Sequence, residues 1–166
     1  MVRAEKESSF DSYRMKDGLG FYLLLQLAFL GAYLLLAAIL WNKLPETIAV
    51  HFKSSGRPDI FSDKLWGVVG LPALVWLLFF VLTLLAKNSE FSIRMRIYPG
   101  KIKAWAGLMT LMSAGIIIVV STSVLYNAGF TSGEAVSYAG LLLITMVLVG
   151  IYRLITGVAD GGLRAP

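Results

Sequence analysis

The sequence predicts an all-α membrane protein, a four-helix transmembrane bundle with a small ordered outer loop that contains short extended segments. Three observations predict it. Of the 166 residues, 57% are hydrophobic, too many for an ordinary soluble domain. They gather into four runs, approximately residues 18–41, 65–86, 104–125 and 136–156, each near the roughly 18–20 residues needed to cross a hydrocarbon core of about 30 Å. Lysine and arginine lie almost entirely between the runs, and unequally.

The first run is too long for the apolar core of a secretion signal, and no small-residue cleavage site follows it, so it is expected to persist as a helix. Orientation follows from the basic residues, which keep short connections in the cytoplasm. The leader carries Arg3, Lys6, Arg14 and Lys16, the second connection Lys87, Arg94, Arg96, Lys101 and Lys103, and the tail Arg153 and Arg164, eleven in all. Opposite them stand four, Lys43, Lys53, Arg57 and Lys64. Both termini of this multi-pass cell-membrane protein are therefore expected in the cytoplasm. The whole chain, 1–166, reads as one integral membrane domain, with an outer loop at 43–64 and a cytoplasmic basic connection at 87–103. Trp41 and Trp66 sit where the first run exits and the second enters, the headgroup depth that amphipathic rings prefer. Pro72 falls early in the second run, where a missing donor is easier to accommodate than at the centre.

Gln26 and the third-run set Thr110, Ser113, Ser121, Thr122 and Ser123 supply polar groups inside or near the bilayer. Bonding between helices, or back to their own backbone, is the expected use. The same hydroxyls support the alternative of a small channel or transporter component. Acidic residues are absent from all four interiors, which argues against ion-coupled transport. Arg153 lies near the end of its run, where its long stem can reach the interface. With no cysteine, disulfides, thiolate chemistry and zinc–thiolate sites are excluded. The net charge of +5 is split among short connections, which suits membrane lipids better than nucleic acid.

In "FSIRMRIYPGKIKAW", Phe91, Ile93, Met95 and Ile97 alternate with Ser92, Arg94, Arg96 and Tyr98, the period of a strand. Tyr98, Pro99 and Gly100 offer a turn and Lys101 to Lys103 a return. A hairpin against the membrane is expected, with Arg94, Arg96, Lys101 and Lys103 contacting lipid phosphate or an acidic partner.

The outer loop, "LPETIAVHFKSSGRPDIFSDK", holds the only histidine. Residues 47–52 alternate as a short extended piece. "SSGRPD" follows as a turn, with Gly56 free to take positive φ. Ser62 or Asp63 can then cap the second helix. His51 with Glu46, Asp59 and Asp63 offers the donor types of a zinc or manganese site, but a single imidazole without a spaced partner predicts neither metal nor cofactor. Asp59 is expected to bond turn backbone or Lys64. No nucleophile, base and orienter stand together, so no catalytic residue is expected and the protein reads as no enzyme.

Leu44-Pro45, His51-Phe52, Gly56, Asp59 and Lys64 together resemble the outer-loop signature of the toxin-immunity membrane family typified by the Sdp immunity protein. The resemblance covers about 21 of the 166 residues and the flanking helices; Ala49 stands where the family usually has a second proline. It implies a prokaryotic polytopic membrane protein. The typical member has more membrane helices, protects its producer against a secreted peptide toxin and holds a regulator at the membrane. The function expected here is a non-enzymatic receptor, immunity-type or accessory protein whose outer loop meets a peptide or membrane-protein partner, with a structural subunit of a membrane complex as a further alternative. His51, Gly56, Asp59 and Lys64 are the expected ligand-binding or loop-bracing residues.

Overall fold

The computed structural model describes residues 2–95, 97 and 101–156, with side chains from residue 18 onward except that of Ser89. In chain order the elements are α1 (Val2–Leu40), a tight turn (Trp41–Lys43), β1 (Thr47–Phe52), β2 (Pro58–Asp63), a wide helical turn (Trp66–Gly70), α2 (Leu71–Leu85), α3 (Ser89–Arg94), α4 (Ile102–Asn127) and α5 (Gly133–Thr156). Among the described residues four stretches are long and apolar enough to span a membrane: Gly18–Lys43, Trp66–Leu85, Ile102–Asn127 and Gly133–Thr156. The protein is a multi-pass membrane protein, with a two-stranded antiparallel hairpin between its first two spans.

α4 is the spine. α1, α2 and α5 each pack along it, α1 also touches α2, and α5 lies along neither α1 nor α2. Small residues allow the close approaches: Leu143 of α5 fills the space a side chain at Gly115 would need, and Leu108 of α4 does the same at Gly150. At the hairpin end, Tyr33, Ala37, Leu40, Ile48, Val68, Trp76, Ile117 and Val124 form the main core, which ties the hairpin to three spans. Toward the other end Phe79, Leu108 and Met109 make a smaller cluster.

Pro72 explains a bond across the bundle. Without an N–H it cannot return the helical hydrogen bond to the carbonyl four residues back, that of Val68. The chain widens just there into the turn Trp66–Gly70, and the Tyr33 hydroxyl of α1 donates to the Val68 oxygen at 2.5 Å. A carbonyl that lipid could not satisfy is thereby satisfied by a neighbouring helix. Lower in the bundle the Gln26 amide donates to the hydroxyls of Thr83 and Thr110, at 2.9 and 3.1 Å. Those hydroxyls donate in turn to the carbonyls of Phe79 and Ala106. One buried amide thus joins α1, α2 and α4.

The expected second hairpin does not form. Asn88 accepts the N–H groups of Glu90 and Phe91 at 2.9 and 3.1 Å, the bonds of a helix N-cap, and α3 follows in place of a strand. Alternation misled because the four apolar residues do not share a face: Ile93 is 76% exposed and Met95 48%, whereas Ile97 is buried and so is Ser92 between them. Lys101 precedes α4, and Lys103 lies in its first turn, so no return strand exists. The turn proposed at Tyr98, Pro99 and Gly100 lies outside the described residues, as does Arg96.

Candidate functional site

β1 forms where the alternation placed it. Ile48 is fully buried, Val50 and Phe52 are half-buried and His51 is exposed. β2 takes up Pro58 and Asp59, which the sequence reading gave to the turn. Lys53 donates its N–H to Arg57 at 2.9 Å, Gly56 donates back to Lys53 at 2.9 Å, and Gly56 has φ +77°, so the connection is Ser54, Ser55 and Gly56. A left-handed glycine closing such a connection fits the twist of paired strands. The ladder pairs Ala49 with Phe61, His51 with Ile60 and Phe52 with Pro58. Val50 and Asp59 therefore stand outside the register as bulges.

Three anchors hold this hairpin over the helix ends. At its base Lys64 donates its backbone N–H to Glu46 at 2.9 Å. Its ammonium donates to the Leu44 carbonyl at 3.0 Å and lies 4.9 Å from the centre of the Trp41 ring. Glu46 is 3.8 Å away and almost wholly exposed, too loose a pair to stabilise much. In the middle, both backbone groups of Ala49 are taken by the end of α4. Its N–H donates to Asn127 Oδ1 at 2.8 Å, and its carbonyl accepts from Asn127 Nδ2 at 3.0 Å and Ser123 Oγ at 2.9 Å. At the tip Ser137 of α5 donates to the Lys53 carbonyl at 3.0 Å, and Gly56 lies against the backbone of Gly133 and Glu134 so closely that neither glycine has room for a side chain. Asp63 caps the helix that follows, accepting the Trp66 N–H at 2.9 Å.

Of the sequence-predicted residues, His51 and Asp59 meet: Nδ1 and Oδ1 are 2.5 Å apart, with the imidazole 59% and the carboxylate 28% exposed. Asp59 bonds neither Lys64 nor the turn backbone in the way the sequence suggested. The strand pairing is the reason, since the register that sets Ile48 against Ser62 and Ala49 against Phe61 brings Asp59 across from His51. Lys64 is spent at the hairpin base, with 11% of its side chain exposed. Among the described residues no three His, Cys, Asp or Glu side chains lie close enough to hold a metal ion. Beside the pair, Ile60 and Phe61 of β2 are more than half exposed, and so are Leu65 and nearly so Trp66. Of the lipid- or partner-contact set, Arg94 ends α3 and is exposed, Lys101 is half-buried and Lys103 exposed.

Beneath β1 a crevice of about 660 Å³ opens between α2, α4 and α5. Val50, Pro72, Val75, Val120, Leu141 and Ile144 line its apolar depth, and His51, Lys53 and Ser137 stand at the hairpin end. Gly140 borders it, and a side chain added there would meet nothing within 4 Å. The sequence reading missed this crevice, along with Asn127, whose position just past an apolar run gave no sign of its use.

The family described as a domain of unknown function, DUF1648, matches residues 28–76. The matched stretch takes in the second part of α1, the whole hairpin and the beginning of α2, and so holds every residue of the His51, Gly56, Asp59 and Lys64 set. No curated protein and no solved structure matches the chain.

Proposed function

We propose that this protein is a non-enzymatic membrane receptor of the immunity or accessory kind, which meets an external peptide with the hairpin and the crevice beneath it. The observation that carries the reading is the combination at the hairpin. Its fold is anchored at base, middle and tip, yet it presents His51, Asp59, Ile60 and Phe61 outward, and His51 also borders the apolar crevice. A surface braced in this way loses little conformational freedom on binding, and exposed large apolar residues rimmed by polar ones are the usual mark of a contact site. An amphipathic peptide suits the pair of features: polar groups for His51, Asp59 and Lys53, apolar ones for the crevice. The resemblance to the Sdp immunity family supports the same class, since its signature residues are those of the hairpin. In this reading both termini are cytoplasmic and the hairpin faces outward, the arrangement favoured by the basic residues.

Two measurements test it. A thiol introduced at Ser55 should react with an impermeant reagent in intact cells and one at Ser89 should not; the reverse pattern overturns the orientation. Cells deprived of the protein should become sensitive to secreted peptide from producing cells of the same strain. His51→Ala, Asp59→Asn and the crevice-filling Gly140→Leu should then fail to restore protection while inserting and melting as the parent does. Full protection by all three variants removes the receptor reading.

A further inference from the structure

α5 has a second cleft on its other flank, at the end remote from the hairpin. α1 and α5 pack on α4 but not along each other, and the gap between them is a cavity of about 700 Å³. Its lining is sorted along its length. Lys103, in the first turn of α4, and Arg153, in the last turn of α5, border its outer part, and Leu25 and Leu111 lie further along their helices toward the bundle centre. Gly107 widens the passage between them: a Cβ there would meet only the edge of the Tyr22 ring at 3.8 Å, an ordinary contact. Among the described residues lining the cavity there is no carboxylate.

Two cations bordering one cavity at the end of a membrane span call for an anion, and the apolar part beyond them calls for hydrocarbon. A soluble anion would leave the apolar part empty, and an acyl chain alone would leave the charges unanswered. An amphiphile with an anionic head satisfies both, and basic pockets between spans are a recurrent form of lipid headgroup site. We infer that the cleft between α1, α4 and α5 binds one anionic phospholipid, with its phosphate at Lys103 and Arg153 and an acyl chain along Leu25, Gly107 and Leu111. The guanidinium offers a planar fork to phosphate oxygens and the ammonium a point charge. Arg153, which the sequence presented only as an interfacial anchor, becomes half of a site. The hairpin takes no part, so the inference stands or falls apart from the receptor reading.

The test uses the full chain in nanodiscs of phosphatidylcholine with increasing phosphatidylglycerol, reading retained lipid by native mass spectrometry. One phosphatidylglycerol should be retained in preference to phosphatidylcholine. A basic group near an anionic surface is worth about fivefold in affinity. Lys103→Gln and Arg153→Gln should therefore each weaken retention about fivefold, and the double variant more than either alone. Gly107→Leu keeps every charge but fills the acyl position, and should abolish preferential retention; should it fail to insert, Leu111→Trp narrows the same passage. The control Lys87→Gln/Arg94→Gln removes two charges outside the cavity and should leave retention unchanged. Retention that survives both cavity-filling variants, or that falls as far in the control, overturns the site. Binding of inorganic phosphate in pure phosphatidylcholine, with the same dependence on Lys103 and Arg153 and no lipid retained, overturns the lipid as its ligand.

Discussion

Removing the Asn127 side chain tests whether the hairpin is held by α4. In Asn127→Ala the Ala49 carbonyl keeps one partner, Ser123 Oγ at 2.9 Å, but the Ala49 N–H loses its only acceptor, Asn127 Oδ1 at 2.8 Å. Ala49 is 1% exposed, so water cannot readily replace the lost acceptor. Leaving a buried donor unpaired costs about 1–3 kcal/mol; because Asn127 itself is only half-buried, about 2 kcal/mol is expected here. Ser123→Ala should cost much less, because Asn127 Nδ2 still reaches the same carbonyl at 3.0 Å. The double variant should exceed the sum of the singles, since only then does the carbonyl lose both partners. The assay is amide exchange at Ala49 in nanodiscs, where about 2 kcal/mol corresponds to roughly 30-fold faster exchange if opening is local. Unchanged exchange in Asn127→Ala, or a Ser123→Ala effect as large, would refute the clamp.

Three further outcomes follow from single groups. Tyr33→Phe leaves the Val68 carbonyl without the hydroxyl that compensates for Pro72 and should lower stability by about 1–3 kcal/mol, measured by denaturant unfolding in detergent; equal stability would mean another donor serves that carbonyl. Lys64→Met keeps the stem but deletes the bond to Leu44 and the charge over Trp41, and should cost about 2 kcal/mol. Glu46→Gln, on an exposed and distant partner, should leave the melting temperature unchanged.

The spans were legible because long apolar runs bounded by charge leave little choice: residues 104–125 lie within the observed Ile102–Asn127, and residues 136–156 within Gly133–Thr156. β1 was legible for a similar reason, since Ile48, Val50 and Phe52 turn inward at every second position, although Ala49 between them is buried too, against the end of α4. β2 was not. Its first residues, Pro58 and Asp59, have turn chemistry, and its exposed Ile60 and Phe61 are neighbours rather than alternates. α3 was misread because a short amphipathic helix and a strand differ little over six residues, and the deciding signal was the cap residue Asn88. The polar joints were half legible. Gln26 and Thr110 stood out as polar groups in apolar runs, whereas Thr83 was overlooked within its run, and nothing local to Asn127 or Ala49 announces that they meet. A proline at position 49 would have no N–H to give Asn127, so the clamp depends on a residue there that can donate.

Burial separates the roles within the His51, Gly56, Asp59 and Lys64 set, which the sequence could only group together. A residue that recognises a partner must reach it, and a residue that braces must be spent internally. Lys64 is spent: its charge answers the Leu44 carbonyl and the Trp41 ring, with little of its side chain reaching solvent. Gly56 is spent as well, on a positive φ and on contact with Gly133 and Glu134. His51 and Asp59 are paired with each other but remain open to solvent, and neither holds any part of the hairpin to the bundle. Their substitution should therefore leave the three anchors intact, whereas changes at Lys64 or Gly56 act on the fold before they act on any ligand. A loss of binding seen with His51→Ala or Asp59→Asn then speaks about recognition, and the same loss with Lys64→Met does not.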